Sequence, residues 1–173
     1  MKWIVKMMLA LLLCLPVQSW AFPNEPNGFR DLYWGESLQE VCGHYDARFF
    51  SYMPEQNAVM YKLQLSQDDS REIEAILGYA PENDRISVSF FNDKLFAIAV
   101  NFKGTHSYEL VRQKLFRLYG DSSMIGKDAH LWAGKNTILI FNRAANAPDR
   151  CDLHIWSAGL FAEISAKEGN RKK

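Results

Sequence analysis

The sequence predicts an α+β domain: an antiparallel sheet with two main helices packed on one face. Two observations carry that prediction. Between Arg48 and Phe102 the chain alternates apolar and polar residues with a period of two, the mark of half-buried strands. Two stretches that open on serine, at Ser37 and Ser107, place apolar residues at helical spacing instead. A strand–helix–strands–helix–strands order is met by helices segregated to one face of an antiparallel sheet.

In chain order, Phe22 to Gly28 (FPNEPNG) is a turn-rich leader whose two prolines cannot enter a regular sheet. Phe29 to Trp34 reads as a short strand ended by Gly35. Ser37 with Glu40 three residues on makes a capping box, in which each side chain satisfies a backbone donor left orphaned at the helix start. Leu38, Val41, Cys42 and Tyr45 continue at helical spacing, and Gly43 keeps that helix short. Val59, Tyr61, Leu63 and Leu65 alternate with polar or flexible neighbours as a strand. Gln67 to Arg71 reads as a polar turn, and Glu72 to Tyr79 fits a strand or a helical turn, read as a strand because Pro81, Asn83 and Asp84 then turn directly into the next one.

The next pair is the clearest. Ile86, Val88 and Phe90 alternate with serines, Asn92–Asp93 turns tightly, and Lys94 to Phe102 returns, a β-hairpin. In the returning strand Phe96, Ile98, Val100 and Phe102 are expected on one face, with Leu95, Ala97 and Ala99 on the other, where small residues let a helix approach. Gly104 breaks the strand and Ser107 is the expected cap of the strongest helix, striped by Tyr108, Val111, Leu115, Leu118 and Tyr119 and ended by Gly120. Residues 121–128 read as a loop. His130 to Ala133, Asn136 to Arg143 and Cys151 to Ser157 then read as strands, and residues 163–173 as a charged tail that frays. The resulting division is 1–21 export signal, 22–28 leader, 29–162 one α+β domain and 163–173 tail. Gly35, Ser37 and Val41 echo Gly104, Ser107 and Val111, which raises a duplicated helix-plus-meander unit as an alternative description.

The first 21 residues set the compartment. Lys2 and Lys6 make a basic start, Met7 to Val17 an apolar core, and Ser19 and Ala21 occupy the small positions of a signal-peptidase site, so cleavage is expected after Ala21. A transmembrane anchor needs about 20 apolar residues, more than this run offers before Pro16. A lipoprotein reading meets Leu11, Leu12 and Leu13 before Cys14, where a small residue is required. The expected address is periplasmic or secreted, without a transmembrane anchor. The chain carries 20 basic and 20 acidic side chains, and removing Lys2 and Lys6 leaves the exported form slightly acidic. No basic stripe interleaves with aromatics, so nucleic acid is not expected as a partner.

Of three cysteines, Cys14 leaves with the signal, and Cys42 and Cys151 are expected to pair as a structural disulfide, the competing reading being two buried thiols. Trp34, Trp132 and Trp156 each close an apolar stretch just before a glycine and form a candidate binding surface, set against the plainer reading of core aromatics. His44, His106, His130 and His154 lie on four separate elements without metal-ligand spacing, so no metal and no cofactor are expected. No GxSxG elbow is present, and the carboxylates Asp68, Asp69, Glu72 and Glu74 sit in or beside a polar turn, where they keep poor catalytic power. No catalytic residue is expected. Arg112, Lys114 and Arg117 read as the wet side of their helix.

The entry FRDLYWGESLQEV carries Phe29, Trp34, Gly35, Ser37 and Val41. It resembles the F-x-x-x-x-W-G-x-S-x-x-x-V opening of small exported bacterial proteins of unknown function. The block FFNDKLFAIAVNFKG, a helix ending in LYG, and WAGKNTILIF are similar to the later part of the same group. The element order also resembles periplasmic inhibitor and outer-membrane-assembly accessory modules at the level of fold, which does not fix function. The expected function is that of a non-enzymatic envelope module contacting another macromolecule, an envelope protein among the candidates. Two alternatives stay open: a small exported hydrolase, or a binder of a small apolar ligand or glycan.

Overall fold

The computed structural model describes residues 21–126, 128–144 and 146–171. Residues 1–20 of the expected export signal, Cys14 among them, lie outside the described residues, as do the last two residues of the expected tail. The fold is α+β and antiparallel. A small hairpin, β1 (Gly28–Phe29) and β2 (Leu32–Tyr33), precedes an eight-stranded sheet of β3 (Asp46–Met53), β4 (Ala58–Gln64), β5 (Arg85–Phe91), β6 (Lys94–Lys103), β7 (Ser123–Gly126), β8 (Ala129–Ala133), β9 (Thr137–Arg143) and β10 (Arg150–Ser157). The helices are α1 (Leu38–Cys42), α2 (Gln67–Leu77), α3 (Ser107–Tyr119) and α4 (Ala158–Arg171).

The sheet order is β3-β4-β5-β6-β10-β9-β8-β7. Each half is therefore a helix followed by a four-stranded meander: α1 before β3 to β6, and α3 before β7 to β10. The two meanders join through their last strands, Val100 opposite Leu153 at the middle of the seam. The first half carries α2 between its second and third strands, and the second is followed by α4. Val41 and Val111, the echoed valines of the two helix starts, are both fully buried in one core.

That core lies on one face of the sheet. Ile86, Val88, Ile98, Val100, Phe102, Leu139, Phe141, Leu153 and Ile155 meet Val41 of α1, Ile73 and Leu77 of α2, and Tyr108, Val111 and Leu115 of α3. Three helices, rather than two, contribute to this face. A smaller cluster on the opposite face joins Ala58, Phe91, Phe96 and Ala97 to Ile164 of α4, with Trp156 and Leu160 packed beside it.

Several expectations change. Residues 67–77, read as a turn and a strand, form α2: Ser66 and Asp69 make a capping box, and Gly78 ends the helix in the left-handed conformation at φ 83°. The periodicity of Ile73, Ile76 and Leu77 is helical, and the acidic first turn hid it. Residues 123–126, read as loop, are β7. The expected tail is the greater part of α4, held by Ile164, so the boundary at 162/163 falls inside a helix. The stretch Phe29–Trp34, read as one strand, folds back on itself as a hairpin turned at Arg30, φ 58°, with Phe29 in β1 and Leu32–Tyr33 in β2.

In β6 a bulge between the pairs Ser89–Ala97 and Phe90–Leu95 leaves Phe96 unpaired and reverses the alternation there. Leu95 therefore joins Ile98, Val100 and Phe102 under the helices, while Phe96 turns to the α4 side. The face against α3 is thus the large-residue face, opposite to the one expected. Ser107 is the first helical residue, not the cap: its Oγ donates to the Gly104 carbonyl at 2.9 Å, and His106 occupies the cap position. The Ser37–Glu40 capping box and the Asn92–Asp93 turn, with φ of 49° and 58°, form as the sequence predicts.

The leader binds the second half of the sheet. Glu25 Oε1 accepts the backbone N–H of Thr137 at 2.8 Å, Thr137 Oγ1 donates to the Pro26 carbonyl at 2.6 Å, and Asn24 donates to the Leu118 carbonyl at 2.7 Å. Further on, Gly35 and Glu36 exchange backbone bonds with Leu95 of β6. Residues 22–36 therefore strap the helical face from one meander to the other.

Candidate functional site

The two ends of the sheet differ. β7 is four residues long and interrupted by an irregular register, a blunted edge. β3 is eight residues long, pairs with β4 alone among the described residues, and carries three of the large exposed apolar side chains among those residues, Tyr33 of β2 being another. Phe49 is 64% exposed, Phe50 53% and Tyr52 52%. A bulge between Phe49 and Ser51 inserts Phe50 into the register, so the aromatics straddle the edge. Phe49 lies edge-on to Tyr61 of β4 at 6.0 Å, which in turn lies edge-on to Phe90 of β5 at 5.9 Å. On the reverse face the Lys62 ammonium sits 4.0 Å above the Phe50 ring.

Beside this edge, bounded by the start of α1, a groove of about 310 Å³ opens among Leu38, Tyr52, Asn57, Val59, Tyr61, Phe90, Asn92 and Asp93. Its walls are set locally. The Tyr52 hydroxyl donates to Asn57 Oδ1 at 2.7 Å across the β3–β4 turn. Asp93 Oδ1 accepts the Leu38 N–H at 3.1 Å, which fixes the start of α1 over the β5–β6 turn. Asp93 is the only charged residue lining the groove, and Glu36 and Glu40 flank Leu38 in sequence. A second cavity of about 250 Å³ lies on the reverse face, between Phe91, Asn92 and the Ile164–Lys167 turn of α4.

The three tryptophans do not make a common surface. Trp132 is 2% exposed, donates its indole N–H to the Gly120 carbonyl at 3.0 Å and packs on Phe116. Trp34 is half-buried against the same core, its indole N–H on Thr137 Oγ1 at 2.9 Å. Trp156 lies on the opposite face, stacked on Phe161 of α4 with ring centroids 5.3 Å apart. The period-two alternation of the strands separates them: Trp132 and Trp156 project from opposite sides of one sheet.

The expected disulfide is not formed; Cys42 and Cys151 are free thiols. Cys151 is buried opposite Phe102, near the end of β6, with its thiol 3.6 Å from Ser107 Oγ, and burial pushes its pKa up to about 11. Cys42 is exposed at the end of α1, whose start docks beside Leu95 at the other end of β6. Leu95 and Phe102 stand seven residues apart, about 23 Å along a strand, and a five-residue helix spans only about 7.5 Å of that. A bridge needs the two Cα atoms within about 7 Å.

Two polar networks were not anticipated. His130, buried beneath α3, has Nε2 3.1 Å from the Tyr108 hydroxyl and Nδ1 2.9 Å from Ser122 Oγ. Burial, with Arg112 adding to it, holds the imidazole below its ordinary 6.5. Both ring nitrogens are thus within hydrogen-bond distance of a hydroxyl, and His130 lines neither of the two cavities. Elsewhere Arg30 binds Asp69 at 3.0 Å and also Glu72, tying the β1–β2 turn to α2, while the Tyr45 hydroxyl donates to Asp31 at 2.5 Å. Asp69 and Glu72 are thus ion-paired, and the bonds from Ser66 and Arg30 hold the Asp69 carboxyl below its usual range. Arg112 pairs with Glu109 at 3.0 Å and Lys114 caps the Ala75 carbonyl at 3.3 Å, so part of the basic helix face serves the fold.

Among the described residues no group of three or more histidine, cysteine or carboxylate side chains is placed to hold a metal ion, and no helix is long and apolar enough to cross a membrane. No protein-family model, no curated protein and no solved structure matches the chain. Phe49 and Phe50 were missed as a surface because the sequence around them carries no turn or motif. A pair of adjacent phenylalanines reads as core until the strand is known to be an edge.

Proposed function

We propose that this chain is an exported envelope protein that acts as a non-enzymatic binding or accessory module, and that it contacts another macromolecule through the aromatic edge of β3 and its groove. The observation that carries this is the exposure of Phe49, Phe50 and Tyr52 on a long edge strand that pairs on one side only among the described residues. Exposed aromatics on such an edge are a liability unless a partner covers them. The basic n-region, apolar run and small residues at Ser19 and Ala21 support export.

The test is photo-crosslinking in cells from a benzophenone residue replacing Phe50, with Glu74 on the far side of α2 as the control site. A discrete adduct from position 50 and none from position 74, together with an exported form whose N-terminus is Phe22, is the expected result. Absence of an adduct while the purified protein turns over an envelope substrate would reverse the reading in favour of a hydrolase.

A further inference from the structure

We infer that the free edge of β3 is a strand-acceptor site for an extended segment of a partner protein, one that presents an apolar side chain to the groove between lysines or arginines. This rests on the reading that the same surface binds a macromolecule, and it adds the mode of binding and the chemistry of the partner.

The mode follows from the edge. Eight residues with no outer neighbour among the described residues leave about half of their N–H and C=O groups facing outward, since alternate residues of an antiparallel strand bond to alternate sides. An added strand satisfies those groups, and its side chains fall alternately on the two faces of the sheet. Aromatics already stand on both: Phe49 and Tyr52 on the helix-bearing face, Phe50 on the reverse. The other edge of the sheet is only four residues long and irregular in register.

The chemistry follows from the groove. Its apolar wall, Leu38, Tyr61 and Phe90, takes an apolar side chain, and its single acidic lining residue is Asp93. The exposed rings of Phe49 and Tyr52 offer further sites for a cation. A second copy of this chain is a poorer occupant, because pairing β3 with β3 about a twofold axis sets bulge against bulge.

The test is amide hydrogen exchange of the full exported chain with two blocked nine-residue peptides. One alternates valine and lysine around a central phenylalanine; the other has glutamate at every lysine. The lysine peptide is expected to protect the amides of β3 and not those of β7, and to bind at least about tenfold more tightly than the glutamate peptide at low salt. Methylation of alternate backbone nitrogens in the lysine peptide is expected to abolish that protection, and Asp93→Asn, which keeps the Leu38 cap acceptor, is expected to narrow the preference.

Equal binding of the two peptides, or binding untouched by methylation, would overturn the inference. So would β3 protection that appears with protein concentration alone, which would identify a second copy. An adduct at position 50 with a partner that leaves the β3 amides unprotected would sink strand addition and keep the binding function. Loss of both the adduct and the protection would remove the binding function itself.

Discussion

Cys151 shows how much a single side chain depends on its surroundings. In sequence it is half of an attractive disulfide; in the fold it is sealed under Ser107, with a thiol pKa near 11, while Cys42 faces solvent. Thiol labelling of the native exported chain is therefore expected to modify Cys42 alone, and Cys151 only after unfolding. A chain in which neither thiol reacts before reduction would restore the bridge. The histidines make a second residue-scale case. Burial holds His130 and His154 below the ordinary value of 6.5 in the folded chain. The unfolded chain then binds more protons between the depressed values and 6.5, so stability falls as pH drops through that window and levels off below it. Thermal unfolding at pH 7.5 and 5.5 should show a lower midpoint at the acid value, and His130→Gln with His154→Gln should shrink the difference. An unchanged gap in the double variant would assign it to other groups.

At the scale of elements, capping decided more than hydrophobic pattern. α1 and α2 both begin with a serine whose hydroxyl accepts the N–H three residues on, while the residue there bonds back. The Ser37–Glu40 box was legible because the sequence read S-x-x-E; Ser66–Asp69 has the same geometry with the shorter acid. It was passed over because Asp68, Asp69 and Ser70 together read as a turn. Ser66→Ala is expected to cost about 1 kcal/mol, seen as a lower denaturation midpoint with unchanged slope. A neutral result would mean that the Arg30–Asp69 ion pair alone holds the start of α2. The bulges in β3 and β6 belong to this scale too. Each inserts one residue and swaps the faces beyond it, which no alternation pattern announces, and each moved an aromatic, Phe50 or Phe96, to the face where it now acts.

For the whole molecule, the joint between the halves matters most. The two meanders meet only along β6 and β10, and Leu153, buried between Val100 and Phe141, sits in the middle of that seam. Leu153→Ala is expected to destabilise the protein by about 2–5 kcal/mol, the range for deleting a buried leucine side chain. Because the core and the leader strap cross the seam, unfolding should remain a single transition; two separated transitions would show that the halves fold as independent units. The α+β class, the Asn92–Asp93 hairpin, α3, and the strands near β8 to β10 were determined by the sequence itself, through periods, caps and turn residues that act over a few neighbours. Which strand lies at an edge, which face each tryptophan occupies, how far Cys42 lies from Cys151 and where α4 docks were decided only by tertiary structure. Those properties arise from pairings between residues as distant as Val100 and Leu153, and from single-residue bulges that reset which side is inside.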